Sequence, residues 1–236
     1  MLRKIKAYLQ AAADTLLPRQ CPVCHGTLDA DERYLCRRCL ATLPRTHLED
    51  STFNRMEQLF AGKVPVKRAA ALYYYEKGNP YASIVHDIKY RNMAGMGVWI
   101  GKLAVTLMKD SHFFDGIDIV VPAPLHSDKL AERGYNQAEM IARGIAQATG
   151  ATVINAVTAT RPHSTQTRKG AYERWLNTRD IYTAHPHAAT QLQGKHVLLV
   201  DDVITTGATI IACAEALQHI PSITLSIFTL TSSRLT

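Results

Sequence analysis

The sequence predicts an α/β protein, a parallel sheet with flanking helices, that carries a small N-terminal four-cysteine module. Three observations carry that expectation. Short apolar runs alternate with helical patterns from residue 69 onward, four of the five cysteines crowd into residues 21–39, and one apolar run ends in two aspartates and a threonine-rich turn. With 236 residues, 47% hydrophobic and 20% charged, the chain is long enough to bury a full core. That composition, with no sustained heptads, excludes coiled coil, collagen and disorder. The balance of 27 Lys and Arg against 20 Asp and Glu, a net +7, admits an acidic partner without naming one.

The elements follow in order. Leu2, Ile5, Leu9, Ala12, Ala13 and Leu16 recur at helical spacing, while Lys6, Gln10 and Asp14 break any signal-peptide core. An amphipathic docking helix and a cytoplasmic address with reduced cysteines are therefore expected. The helix and cysteine module occupy residues 1–45, a mixed polar connector 46–68, and the α/β domain 69–236. Strands are expected at 69–75, 117–123, 151–157, 196–200 and 223–229, and helices at 80–89, 98–109, 129–149 and 208–219. The longest uncharged stretch, 216–233, contains Gln218, His219 and Pro221, so no integral membrane protein is expected.

Cys21-Pro-Val-Cys24 and Cys36-Arg-Arg-Cys39 are separated by eleven residues. Each CxxC turn presents two sulfurs to one point, and two turns complete a tetrahedron suited to zinc. All four positions are filled, so the expected role is structural. Arg19, Arg37 and Arg38 are close enough in sequence to offset the −2 charge of four thiolates around a dication. Two disulfides are one alternative. Haem attachment is another, because Cys21–His25 spells CxxCH.

The stretch Val197-Leu-Leu-Val-Asp-Asp-Val-Ile-Thr-Thr-Gly-Ala-Thr209 reads as strand, acid pair, turn and helix. Free backbone N–H groups at the helix start, from Gly207 and Ala208 onward, form an anion site. Thr205, Thr206 and Thr209 can donate to phosphate oxygens, and Gly207 permits close backbone approach. Asp201 and Asp202 can accept from sugar hydroxyls. A ribose phosphate uses both halves, beyond a strand end where open α/β sheets bind ligands. No GKS or GKT follows the glycine, so this is not a Walker A loop. The plain alternative is an Asp-Asp loop that merely caps a helix.

This block resembles the signature of type I phosphoribosyltransferases, which bind phosphoribosyl pyrophosphate (PRPP). The chain is similar to the ComF family along most of its length. The resemblance rests on Leu17-Pro-Arg-Gln-Cys-Pro-Val-Cys24, His86-Asp-Ile-Lys-Tyr-Arg91, Val121-Pro-Ala-Pro-Leu-His126 with Arg133-Gly-Tyr-Asn-Gln137, and residues 166–177 with Gln166, Arg174 and Asn177. It implies a type I phosphoribosyltransferase-like fold and a part in natural competence, the handling of single-stranded DNA during uptake.

Further roles follow from the resemblance. His126 and Arg133, after the second strand, become candidate pyrophosphate contacts, with helix-start polarity as the alternative. The segment 158–179 sets Arg161, Arg168, Lys169, Arg174 and Arg179 against Glu173 alone. Arg168, Lys169 and Arg174 become candidates in a loop that closes over pyrophosphate, or belong to a solvated surface loop. Lys89, Tyr90 and Arg91 interleave cations with an aromatic ring, which suits base stacking on a charged track. Two classes stay open. One is a DNA-uptake protein that binds PRPP or a related sugar phosphate, single-stranded DNA and uptake partners. The other is a Mg²⁺-dependent phosphoribosyltransferase whose catalytic pair is Asp201 and Asp202. No motif identifies an acceptor.

Overall fold

A five-stranded sheet, parallel throughout, organises the chain. The computed structural model describes residues 18–160 and 181–234. Across the sheet the strands are β1 (Arg68–Tyr74), β7 (Thr224–Ser232), β6 (His196–Ile204), β2 (Ile119–Pro122) and β3 (Thr152–Val153). Strand periodicity divides the core between two faces. Leu198, Val200, Phe228 and Leu230 meet helices α3 (Ala82–Tyr90), α4 (Ala94–Leu107) and α6 (Gln137–Thr149). Val197, Leu199, Leu225 and Ile227 meet α8 (Ala208–Leu217) and α7 (Ala188–Leu192) on the other. The cysteine module, with its short helix α1 (Arg37–Ala41), packs on the first face through Val23, Leu28 and Leu35.

The expected strand at 196–200 continues to Ile204 because β7 keeps pairing with it, Asp201 opposite Thr229 and Ile204 opposite Ser232. The neighbour on its other side stops earlier. Pro122 pairs with Val200, Ala123 N donates to Val200 O at 2.7 Å, and Pro124 has no N–H to offer. Asp201 and Asp202 therefore lie within a strand whose β2-side edge has opened.

Two expected elements split. The strand at 151–157 becomes β3 and β4 (Val157–Ala159), because Ala156 N turns back to Ile154 O at 3.0 Å. Strand β4 then pairs antiparallel with β5 (Tyr182–Ala184), outside the main sheet. The helix at 129–149 becomes α5 (Ser127–Arg133) and α6. Gly134, at φ +76°, closes the first, and the Asn136 side chain opens the second by accepting from Ala138 N at 3.0 Å.

The connector is more built than its polarity suggests. Asn54 caps α2 (Arg55–Gln58) with a capping box and also donates to Ala69 O at 2.8 Å. Met56, Phe60 and Val64 are buried in the second core. Upstream, Tyr74 N donates to Pro44 O at 2.9 Å and Thr46 N to Leu72 O at 3.2 Å, so residues 44–46 run along the outer edge of β1. Among the described residues no helix is long and apolar enough to cross a membrane. The expected N-terminal helix lies outside the described residues.

Candidate functional site

The sulfurs of Cys21, Cys24, Cys36 and Cys39 lie within 4.8 Å of one another. Cys24 Sγ and Cys36 Sγ are 3.7 Å apart. Metal–sulfur bonds of about 2.3 Å give a tetrahedron with edges of about 3.8 Å, so the residues fit a tetrahedral metal. Neither two disulfides nor haem attachment calls for four sulfurs at one point. Backbone N–H groups complete the arrangement. Cys39 N donates to Cys36 Sγ at 3.4 Å. Burial pushes the Cys21 thiol up, but N–H groups of Cys36, Cys24 and Val23 outweigh it and bring it down to about 7. Glu32 fastens the loop between the two CxxC turns by accepting from Asp29 N at 2.8 Å and Arg37 N at 2.6 Å. Arg37 pairs with Asp31, and Arg19 donates to the carbonyl oxygen of Glu32 at 2.6 Å, so both guanidinium groups also serve the loop.

The second site is a cleft of about 240 Å³ where the open edge of β6 faces the loop after β2. Asp201 and Asp202 form its floor. Lys89 reaches in from α3, with Nζ 3.0 Å from Asp202 Oδ2. Asp201 Oδ1 accepts from Asp202 N at 2.8 Å. Burial first, and then the neighbouring Asp202 charge, push the Asp201 carboxyl up to about 7. Thr209 on α8 lines the same cleft, and Tyr182 of β5 covers it while bonded to the Thr209 hydroxyl.

The opposite wall is basic. His126 caps α5, its Nδ1 accepting from Asp128 N at 3.3 Å. Arg133 donates to Gln137 Oε1 at 3.1 Å, and its guanidinium lies 5.2 Å from the centre of the Tyr90 ring. Its buried Nε has no hydrogen-bond partner among the described residues, which suits an anion. The structure thus brings together Asp201, Asp202, Thr209, His126, Arg133 and Lys89.

Other expected residues stand apart. Thr205 and Thr206 are exposed in the turn before α8. Gly207, at φ +76°, is the α8 N-cap and supplies no side-chain cap, so the helix start keeps free N–H groups beside Ala208. The charged track does not form as a unit, because Lys89 turns into the cleft and Arg91 Nε pairs with Asp87 at 3.3 Å. Tyr90 stays exposed. Arg168, Lys169 and Arg174 lie outside the described residues.

Sequence reasoning missed Lys129, Gln137 and Tyr182, all of which line the cleft. Lys129 carried a usable signal. It stands three residues after His126 and four before Arg133, a spacing that puts cations on one helix face.

A phosphoribosyl transferase domain model matches residues 131–222, which include the acid pair and the start of α8. The DNA utilization protein YhgH of Salmonella typhi is 26% identical over 64% of this chain and 66% of its own. Competence protein F of Haemophilus influenzae is 26% identical over 60% of this chain and 63% of its own. Competence protein ComFC of Bacillus subtilis is 31% identical over 46% of this chain and 39% of its own. The matched region spans less than two thirds of each of these relatives. The parallel sheet and its helices form a phosphoribosyltransferase-like fold. With that domain match and relatives named competence proteins F and ComFC, the chain is similar to proteins of the ComF family.

Proposed function

We propose that the cleft binds PRPP or a related sugar phosphate, and that the protein uses it while handling single-stranded DNA during uptake. One observation carries the first part. Two carboxylates and Thr209, in the first turn of α8, share one cleft with Lys129 and Arg133 on its far wall. Asp201 and Asp202 would accept from the ribose hydroxyls. The N–H groups after Gly207, with Thr205, Thr206 and Thr209, would hold the sugar phosphate. His126, Lys129 and Arg133 would take the pyrophosphate. Bound Mg²⁺ would supply charge neutralisation between pyrophosphate and ribose oxygens. Zinc suits the four-sulfur site, through its preference for tetrahedral thiolates.

Calorimetry with PRPP and Mg²⁺ tests the site. Asp202→Asn and Thr206→Ala are each expected to weaken binding about tenfold, the loss of one charge-assisted or phosphate-directed hydrogen bond. Unchanged affinity in both variants would remove the assignment. The DNA role is supported by the names of the relatives. Affinity for single-stranded DNA should fall steeply between low and moderate salt, since phosphate contacts release counterions. No binding at low salt would count against it.

A second reading, an active transferase with an unidentified acceptor, is favoured by Asp201. A carboxyl brought to about 7 exchanges protons at neutral pH. An amine acceptor that bonds to the anomeric carbon as pyrophosphate leaves must lose a proton. Acceptor-dependent pyrophosphate release, abolished in Asp202→Asn, would establish this reading.

A further inference from the structure

We propose that α3 makes the sugar-phosphate cleft answer to the cysteine module, with Lys89 as the positioning residue that sets the Asp202 carboxylate. This rests on the sugar-phosphate reading above. At the head of α3, Tyr81 OH donates to the carbonyl oxygen of Cys39, a metal-site cysteine, at 2.8 Å. The same hydroxyl lies 2.7 Å from Thr42 Oγ1, just beyond α1. At its foot, eight residues later, Lys89 Nζ reaches Asp202 Oδ2 at 3.0 Å. A helical span of that length is a strut of about 12 Å.

The strut is not free to slide. Ile84, Val85 and Ile88 are buried in the first core, and Tyr135 OH donates to Ile88 O beside the foot. A change at the Cys39 carbonyl is therefore transmitted along α3, since a packed core resists local deformation.

Lys89 and Asp202 are both mostly enclosed, with side chains 20% and 13% exposed, so water screens their pairing weakly. The Asp202 main chain is already fixed, because Thr231 Oγ1 donates to Asp202 O at 3.1 Å and β6 pairs with β7 on either side. What remains adjustable is the direction of the carboxylate. Lys89 sets that direction and also supplies a positive charge beside two adjacent acids.

Ribose 5-phosphate and inorganic pyrophosphate, titrated separately into the full chain, test this. Lys89→Met should weaken ribose 5-phosphate about tenfold while pyrophosphate, which has no hydroxyl for Asp202, stays within about twofold. Lys89→Arg should recover most of the loss. Chelating the metal should cost wild type about fivefold toward ribose 5-phosphate and cost Lys89→Met nothing further, as two steps on one route are not additive. Tyr81→Phe, with metal retained, should reproduce the effect of chelation in wild type.

An equal loss on chelation in both proteins would overturn the coupling, as would wild-type binding by Lys89→Met. If Asp202→Asn weakens ribose 5-phosphate and Lys89→Met does not, the coupling alone fails. If Asp202→Asn alone binds like wild type, the coupling fails; if Thr206→Ala does so as well, the sugar-phosphate reading itself fails.

Discussion

Gly101 on α4 and Gly144 on α6 meet where those helices cross. A Cβ on Gly144 would lie 2.1 Å from the Val98 carbonyl oxygen, and one on Gly101 would lie 2.3 Å from that of Ile141. Backbone stands in the way in both cases, so no side chain can swing aside. Gly144→Ala should therefore force the helices apart and cost about 1–3 kcal/mol, seen as a Tm lower by several degrees. A melting curve superimposable on wild type would show that the helices separate freely.

The cysteine module should hold its metal tightly enough to need it. Elemental analysis of the purified chain is expected to return about one zinc per molecule, and Cys39→Ser should lose it. Glu32→Ala, which strips the acceptor from Asp29 N and Arg37 N without touching a sulfur, should weaken retention against a chelator. A metal-free chain with an unchanged melting temperature would contradict the site.

Asp201 makes stability depend on pH. Its carboxyl titrates near 3.8 when unperturbed and at about 7 in the folded chain, where burial and Asp202 raise it. Between those values the native state keeps a proton that the unfolded chain has lost, so stability falls as pH rises through the window. Asp201→Asn should flatten that slope. Denaturant midpoints for both proteins, taken in parallel from about pH 4 to pH 8, isolate the contribution because the thiolates titrate in each. Identical slopes would mean that Asp201 ionises normally.

Gly207 tests the helix start. Its φ of +76° is strained for any side chain, although the nearest atoms to a Cβ are comfortable at 3.7 Å. Gly207→Ala should therefore cost about 1 kcal/mol through backbone conformation alone. It should also weaken ribose 5-phosphate, because the N–H groups that follow would reorient. A variant that loses stability but keeps its affinity would place the phosphate elsewhere.

Much of the fold was legible because its strands are continuous apolar runs. Strand β1 came within a residue of expectation at each end, and β6 and β7 started where expected or one residue later, both ending further on. The lost boundaries have local causes. Gly134 interrupts a helical pattern without changing its apolar period, and β5 has only three residues, too few for alternation to register. In the site, Asp201, Asp202, Thr209, His126 and Arg133 were readable from spacing and resemblance. Lys89 was noticed for its cationic neighbourhood, but its partner lies 113 positions away, and only the packing of α3 against the sheet brings Asp202 to it. Tyr182 was invisible for the same reason.

The run of residues 44–46 along β1 has a consequence for the molecule's behaviour in a crowded solution. An uncovered parallel edge offers a ready template for strands of other copies. Here Pro44 and Thr46 already occupy partners that β1 would present, and β3 on the far side offers only two residues. The segment that follows the cysteine module thus acts as a selvedge. Cleavage or loosening just after Leu43 should expose β1 and increase self-association, read by light scattering against the intact chain.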